Sequence, residues 1–261
     1  MEENNRSRIK WIIILGVCAI TMIVSFALIL HNLNGHKKSE DTYAEMRKEN
    51  AKAKNNKNAG ESENTLDFSK LKKTNSDIYA WIKVEGTKVD YPILMSNENE
   101  STDYYLNHNI DHSKGYPGCL FVDKIQAKDF SNYNTIIYGH NNYAKGTMFH
   151  ELTNFYDKSF FKENQEFEIT TEEATLKYKI YAAVKFSDDH LLYKYDFTNP
   201  IERSKFVTDL ANMRDVTSHV NKDVKVSETD HLVTLSTCIS PSSKNRYLVV
   251  GVLVDKQDKK S

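Results

Sequence analysis

From Trp11 to Leu30 the chain reads WIIILGVCAITMIVSFALIL, apolar throughout and without a charge. About 20 such residues are enough to carry a helix across a bilayer. A core helix would show a polar face, and this run shows none. A cleaved leader would have a shorter apolar region and a small-x-small site, whereas this run ends in Leu30-His31-Asn32. The pattern predicts an uncleaved membrane anchor over 11–30 behind a tail, 1–10. Residues 31–64 are rich in Lys, Glu, Asn and Ala, with almost no large apolar residue after Tyr43 and Met46. They read as a solvated stalk, helical in part, with too little to bury to fold alone.

Beyond the stalk the period changes to two. In 175–186, Leu176, Tyr178, Ile180, Ala182, Val184 and Phe186 alternate with Lys177, Lys179, Tyr181, Ala183 and Lys185. That alternation predicts a strand with one buried face. Asn134–His140 and His231–Cys238 read as short strands, and Tyr247–Val254 as a strand buried on both faces. Trp81–Val84 and Lys88–Leu94 flank Glu85-Gly86-Thr87 as a hairpin. Helical spacing is confined to Leu66–Ser76 and to a stretch opened by Asn199-Pro200 and running to Arg214. The expectation is a mainly β domain over 65–256, a closed or nearly closed barrel with peripheral helices, followed by a tail, 257–261.

The 261 residues allow one or two domains. With 35 Lys+Arg against 36 Asp+Glu the net charge is −1, which excludes the basic excess of a nucleic-acid binder. Charge does not orient the anchor: Arg6, Arg8 and Lys10 precede it, and Lys37, Lys38, Arg47 and Lys48 follow. Of the three cysteines, Cys18 lies in the apolar run, so only Cys119 and Cys238 are free to pair in the soluble part. One bridge is no disulfide scaffold.

Chemistry concentrates at the ends of the predicted strands. Cys238 closes Thr234-Leu235-Ser236-Thr237, a rigid mount for a nucleophile. The turn-rich loop 239–245 follows, and Arg246 then opens the last strand, within reach of Cys238 to stabilise a thiolate or an oxyanion. His140 ends Ile136-Ile137-Tyr138-Gly139-His140, and the glycine permits close approach of backbone or substrate. A Cys/His pair is the minimal apparatus for acyl transfer. Singly, each residue has an ordinary explanation: a packed thiol, a surface histidine, a solvated arginine. His108 and His112 are four apart but have no third ligand near in sequence, so no metal is expected.

Taken together, TLSTC ending a strand, the following Arg246 and the upstream YGHN segment resemble the sortase family. The resemblance extends over roughly Leu66 to Val254. It includes Ile78–Val84, Val89–Ile93, Gly118–Asp123 and Gly146-Thr147-Met148-Phe149. The long interval between His140 and Cys238, holding the helix near 200–214, and a helix before the first strand are similar to class B. The resemblance implies an eight-stranded sortase barrel, preceded by a single-pass transmembrane helix, on the outer face of a Gram-positive cell membrane. It implies a cysteine transpeptidase without cofactor, which takes secreted proteins bearing a C-terminal sorting signal and joins them to a peptidoglycan amine. The family's catalytic Cys, His and Arg fall on Cys238, His140 and Arg246, and its substrate contacts on Ser236, Leu106 and Tyr193. Cys119 departs from the family's usual small residue and leaves open a Cys119–Cys238 disulfide that would block the nucleophile. A membrane-anchored cysteine protease and a non-catalytic surface binding module are the competing functions.

Overall fold

The computed structural model describes residues 2–55, 66–240 and 244–259. Helix α1 (Glu2–Asn55) contains an apolar segment, Lys10–Leu30, long enough to cross a membrane and unburied by any other part of the chain. The same helix continues through the segment read as a stalk, of which 56–64 lie outside the described residues.

That stalk is not fully solvated. Ser39, Tyr43 and Met46 share one helical face and are buried against the domain. Tyr43 is 1% exposed. Its ring meets Tyr91 edge-on at 5.2 Å, and its hydroxyl lies 3.4 Å from Cys119 Sγ. Arg47 donates to the Asp90 carbonyl (3.2 Å), and Lys38 pairs with Asp111 (2.8 Å). Two large apolar side chains are too few to fold a segment alone, yet enough to dock a preformed helix on a surface that receives them.

Helix α2 (Phe68–Thr74) starts at Asp67, whose carboxylate accepts from the Lys70 N–H. The strands are β1 (Ile78–Val84), β2 (Asp90–Leu94), β3 (Leu120–Val122), β4 (Asn134–Tyr138), β5 (Glu166–Thr171), β6 (Ala174–Ser187), β7 (Leu232–Cys238) and β8 (Asn245–Asp258). Their order is β8-β7-β4-β3-β2-β1-β5-β6, and β6 pairs back onto β8 to close the barrel. The predicted hairpin is β1–β2, antiparallel, with Gly86 at φ +70 in its turn. Most neighbours are antiparallel; β4–β7 and β2–β3 are parallel. Three further helices lie outside: α3 (Lys158–Glu163), α4 (Leu191–Lys194) and α5 (Pro200–Ala211).

The long strand β6 differs from its expected one-sided burial. Leu176, Tyr178 and Ile180 belong to the barrel interior, whereas Ala182, Val184 and Phe186 pack outward beneath Phe206 and Leu210 of α5. The face changes at Tyr181, where the register against β8 slips by one residue. A bulge of this kind reverses which side chains point inward. The barrel therefore has two cores, one inside and one under α4 and α5. Asn199 caps α5 through the Ile201 N–H, with Pro200 in the first turn. The helix stops at Ala211, where Arg214 donates to the carbonyls of Ala211 and Met213.

Candidate active site

Strands β4 and β7 run parallel, with Tyr138 beside Ser236, so their C-terminal ends emerge at one edge of the barrel. His140 follows the end of β4 and Cys238 is the last residue of β7. Arg246, second in β8, stands opposite Cys238 in the antiparallel register. The loop that reverses the chain between them was read from sequence over 239–245; its residues 241–243 lie outside the described residues.

The end of β4 and the distant β7–β8 turn thus converge on a cleft of about 270 Å³. Cys238, His140, Arg246, Ser236 and Leu106 all line it. Arg246 Nη1 lies 3.2 Å from Cys238 Sγ, a direct guanidinium–sulfur contact. Cys238 is a half-exposed free thiol; Cys119 is buried and free. The disulfide left open by the sequence is therefore not formed. Burial pushes the Cys119 thiol up to about 12, despite the Tyr43 hydroxyl beside it.

His140 is half-buried, and its Nε2 lies 2.8 Å from the carbonyl oxygen of Leu106. A carbonyl can only accept, so the proton sits on Nε2, and in the neutral ring Nδ1 holds the lone pair. Burial lowers the His140 pKa below its ordinary value; the Leu106 hydrogen bond opposes this and the Arg246 charge adds to it. The ring is thus neutral near pH 7 and able to take up a proton.

Leu106 lies in a 3₁₀ turn, Tyr104–Leu106, and contributes both its side chain to the cleft wall and its carbonyl to His140. Tyr193 is placed differently. Its ring is 84% exposed and outside the cleft lining, stacked 4.5 Å from His190, and it is His190 that forms the wall. His190 Nε2 lies 3.4 Å from the Tyr138 hydroxyl, and both residues line the cleft. Asn141 was missed, although it adjoins His140 in sequence: its side chain donates to the carbonyls of Cys238 (3.0 Å) and Ile239 (3.1 Å).

Gly139 has a reason other than substrate access. A Cβ there would lie 2.4 Å from Leu120 Cδ2 and 2.7 Å from Phe149 Cδ2. The glycine lets the His140 segment close over the core. His108 stacks on Tyr104 at 3.8 Å, and no group of three metal-ligating side chains occurs among the described residues.

The sortase-domain family model matches residues 82–254. Sortase B of Listeria monocytogenes is 33% identical over 188 residues, covering 71% of this chain and 73% of that protein. The structure of a Staphylococcus aureus sortase B–substrate complex superposes with TM-score 0.62 at 29% identity, covering 72% of this chain and 84% of that one. A sortase B complexed with triglycine gives TM-score 0.68 at 25% identity, covering 84% of this chain and 97% of that one.

Proposed function

The chain belongs to the sortase family and is most similar to its class B members, and from that premise we propose that it cleaves a C-terminal sorting signal on secreted proteins and transfers them to a peptidoglycan amine. The observation that carries the proposal is the 3.2 Å contact between Arg246 Nη1 and Cys238 Sγ in a cleft that His140 also lines.

Cys238 Sγ attacks the carbonyl carbon of the scissile amide, and its proton passes to the imidazole of His140. The carbonyl oxygen becomes an oxyanion, which the Arg246 guanidinium holds. Collapse breaks the C–N bond as His140 returns the proton to the leaving amine. A thioester on Cys238 remains. An incoming amine then attacks that carbonyl and gives a proton to His140. The Cys238 sulfur leaves, regains the proton, and the new amide departs. Ser236 and Leu106, in the cleft wall, contact the sorting peptide, with Tyr193 at its rim. The triglycine complex of a relative supports a peptide amine as acceptor. On this reading residues 11–30 anchor the protein in the cell membrane by a single pass, and the catalytic domain lies outside.

The test is to incubate the protein with a library of sorting peptides and to follow Cys238 by mass spectrometry, with and without triglycine. The expected results are a thioester on Cys238, its loss on adding the amine with ligated product formed, and no adduct in Cys238→Ala. Product formed by hydrolysis alone, whatever the amine concentration, would make the protein a protease. No adduct with any peptide would leave a binding module.

A further inference from the structure

The parallel ladder between β4 and β7 ends where Tyr138 meets Ser236, with one more bond from the Gly139 N–H to the Ser236 carbonyl (3.2 Å). His140 and Cys238 both lie past that point, so no main-chain rung between these strands sets their separation. The side chain of Asn141 occupies the place of the missing rung. Its amide group donates to Cys238 O (3.0 Å) and to Ile239 O (3.1 Å), tying the residue next to His140 to the peptide of the nucleophile.

The orientation of that amide is itself fixed. Asn141 Oδ1 lies 2.7 Å from His150 Nδ1. The carbonyls of Cys238 and Ile239 can only accept, so the NH2 faces them and Oδ1 faces His150; Oδ1 accepts there, so Nδ1 of His150 carries the proton and holds the oxygen end of the amide. The main-chain oxygen of Asn141 accepts from the Tyr116 hydroxyl (3.2 Å), and the Tyr116 ring lies 4.9 Å from the His140 imidazole. Asn141 is 8% exposed, so water competes little for these bonds.

We propose that Asn141, oriented by His150, is a positioning residue that sets the spacing of His140 and Cys238. It acts through the Cys238 peptide and through its covalent neighbour His140, without touching substrate. The inference rests on the reading of those two residues as proton carrier and nucleophile. It explains why an amide stands here. Aspartate has nearly the same shape but would present oxygens to two carbonyl oxygens. Alanine would remove the side-chain donor from both carbonyls.

The experiment uses the full-length protein in detergent micelles, triglycine as acceptor, and the peptide selected by thioester formation. Displacement of a reacting group by about 1 Å costs roughly a hundredfold in rate. Asn141→Ala and Asn141→Asp are therefore expected to lose about that factor in kcat, with the peptide KM held within about threefold. His150→Ala should lose about tenfold, and His150→Asn, which keeps a donor, should recover most of it. The double variant Asn141→Ala/His150→Ala should be no slower than Asn141→Ala alone, because His150 acts through Asn141. In parallel, the rate of Cys238 alkylation by iodoacetamide is measured against pH. A displaced thiol changes that profile, whereas a mere loss of stability leaves the folded fraction's profile unchanged. A folded Asn141→Ala protein with normal kcat and a normal alkylation profile overturns the proposal. An additive double variant removes His150 from it. Should Asn141→Ala not fold, a normal kcat in His150→Ala overturns it equally. Cys238→Ala and His140→Ala are run alongside: turnover retained in them overturns the underlying catalytic reading instead.

Discussion

Arg246 offers the clearest energetic test. Its guanidinium faces Cys238 across the β7–β8 register, with Nη1 3.2 Å from Sγ. An oxyanion formed at a carbonyl bonded to that sulfur arises within the same few ångströms. Two unit charges at 3.2 Å attract by about 5 kcal/mol at an effective dielectric near 20. Arg246 is only half-buried, so solvent screens part of this. What remains is comparable to the roughly 3–4 kcal/mol typical of one lost oxyanion donor. Arg246→Ala should therefore lower kcat/KM by about a hundred- to a thousandfold. Arg246→Lys keeps the charge but ends one bond shorter and lacks the planar fork, so it should recover only part of the loss. The assay is turnover of a fluorogenic sorting peptide under saturating amine, with circular dichroism to establish folding and thiol labelling of Cys238 in parallel. A folded Arg246→Ala enzyme with near-normal turnover would refute the electrostatic argument and remove one of the three residues on which the mechanism stands.

Three further outcomes follow from burial. Because burial lowers the His140 pKa, its NMR titration should inflect below 6.5, and an inflection at or above that value would contradict the argument. The unfolded chain then binds the proton more readily, so this residue's contribution to stability is lost as pH falls from 6.5 through the lowered folded value, and His140→Gln should remove that part of the acid sensitivity in urea titrations. Tyr43→Ala should uncover Cys119, raising its labelling by a thiol reagent about tenfold or more, while wild-type protein labels in the barrel at Cys238 only; unchanged protection of Cys119 would mean that α1 does not seal it.

The barrel was legible where burial leaves a period in the sequence. Leu176 to Phe186 alternates because one side chain in two meets a core, and Leu232–Cys238 and the apolar start of β8 declare themselves by hydrophobicity. What remained hidden depends on partners distant in sequence. β8 runs on to Asp258 with exposed polar side chains, paired there with β6. The bulge at Tyr181 leaves no trace in the alternation, because both faces of β6 are apolar there. The docking of Tyr43 requires the surface formed by Tyr91 and Cys119, which polar composition over 31–64 could not announce. In the cleft, Cys238, His140 and Arg246 were readable from strand ends and resemblance. Asn141 and His190 were not, since neither residue type is distinctive until the fold supplies its neighbour. Gly139 was singled out correctly, but its close approach is to Leu120 and Phe149.

The separate burial of Cys119 bears on how Cys238, the proposed nucleophile, withstands oxidation. A thiol oxidised to a sulfenic acid is usually rescued by condensing with a nearby resolving cysteine. Here Cys119 is enclosed beneath Tyr43, and Cys18 lies in the apolar segment of α1. Cys238 has no resolving partner within its own chain. An oxidant reaching the cleft therefore produces a sulfenic acid whose return to the thiol depends on a small external reductant, and whose alternative is irreversible passage to the sulfinic acid.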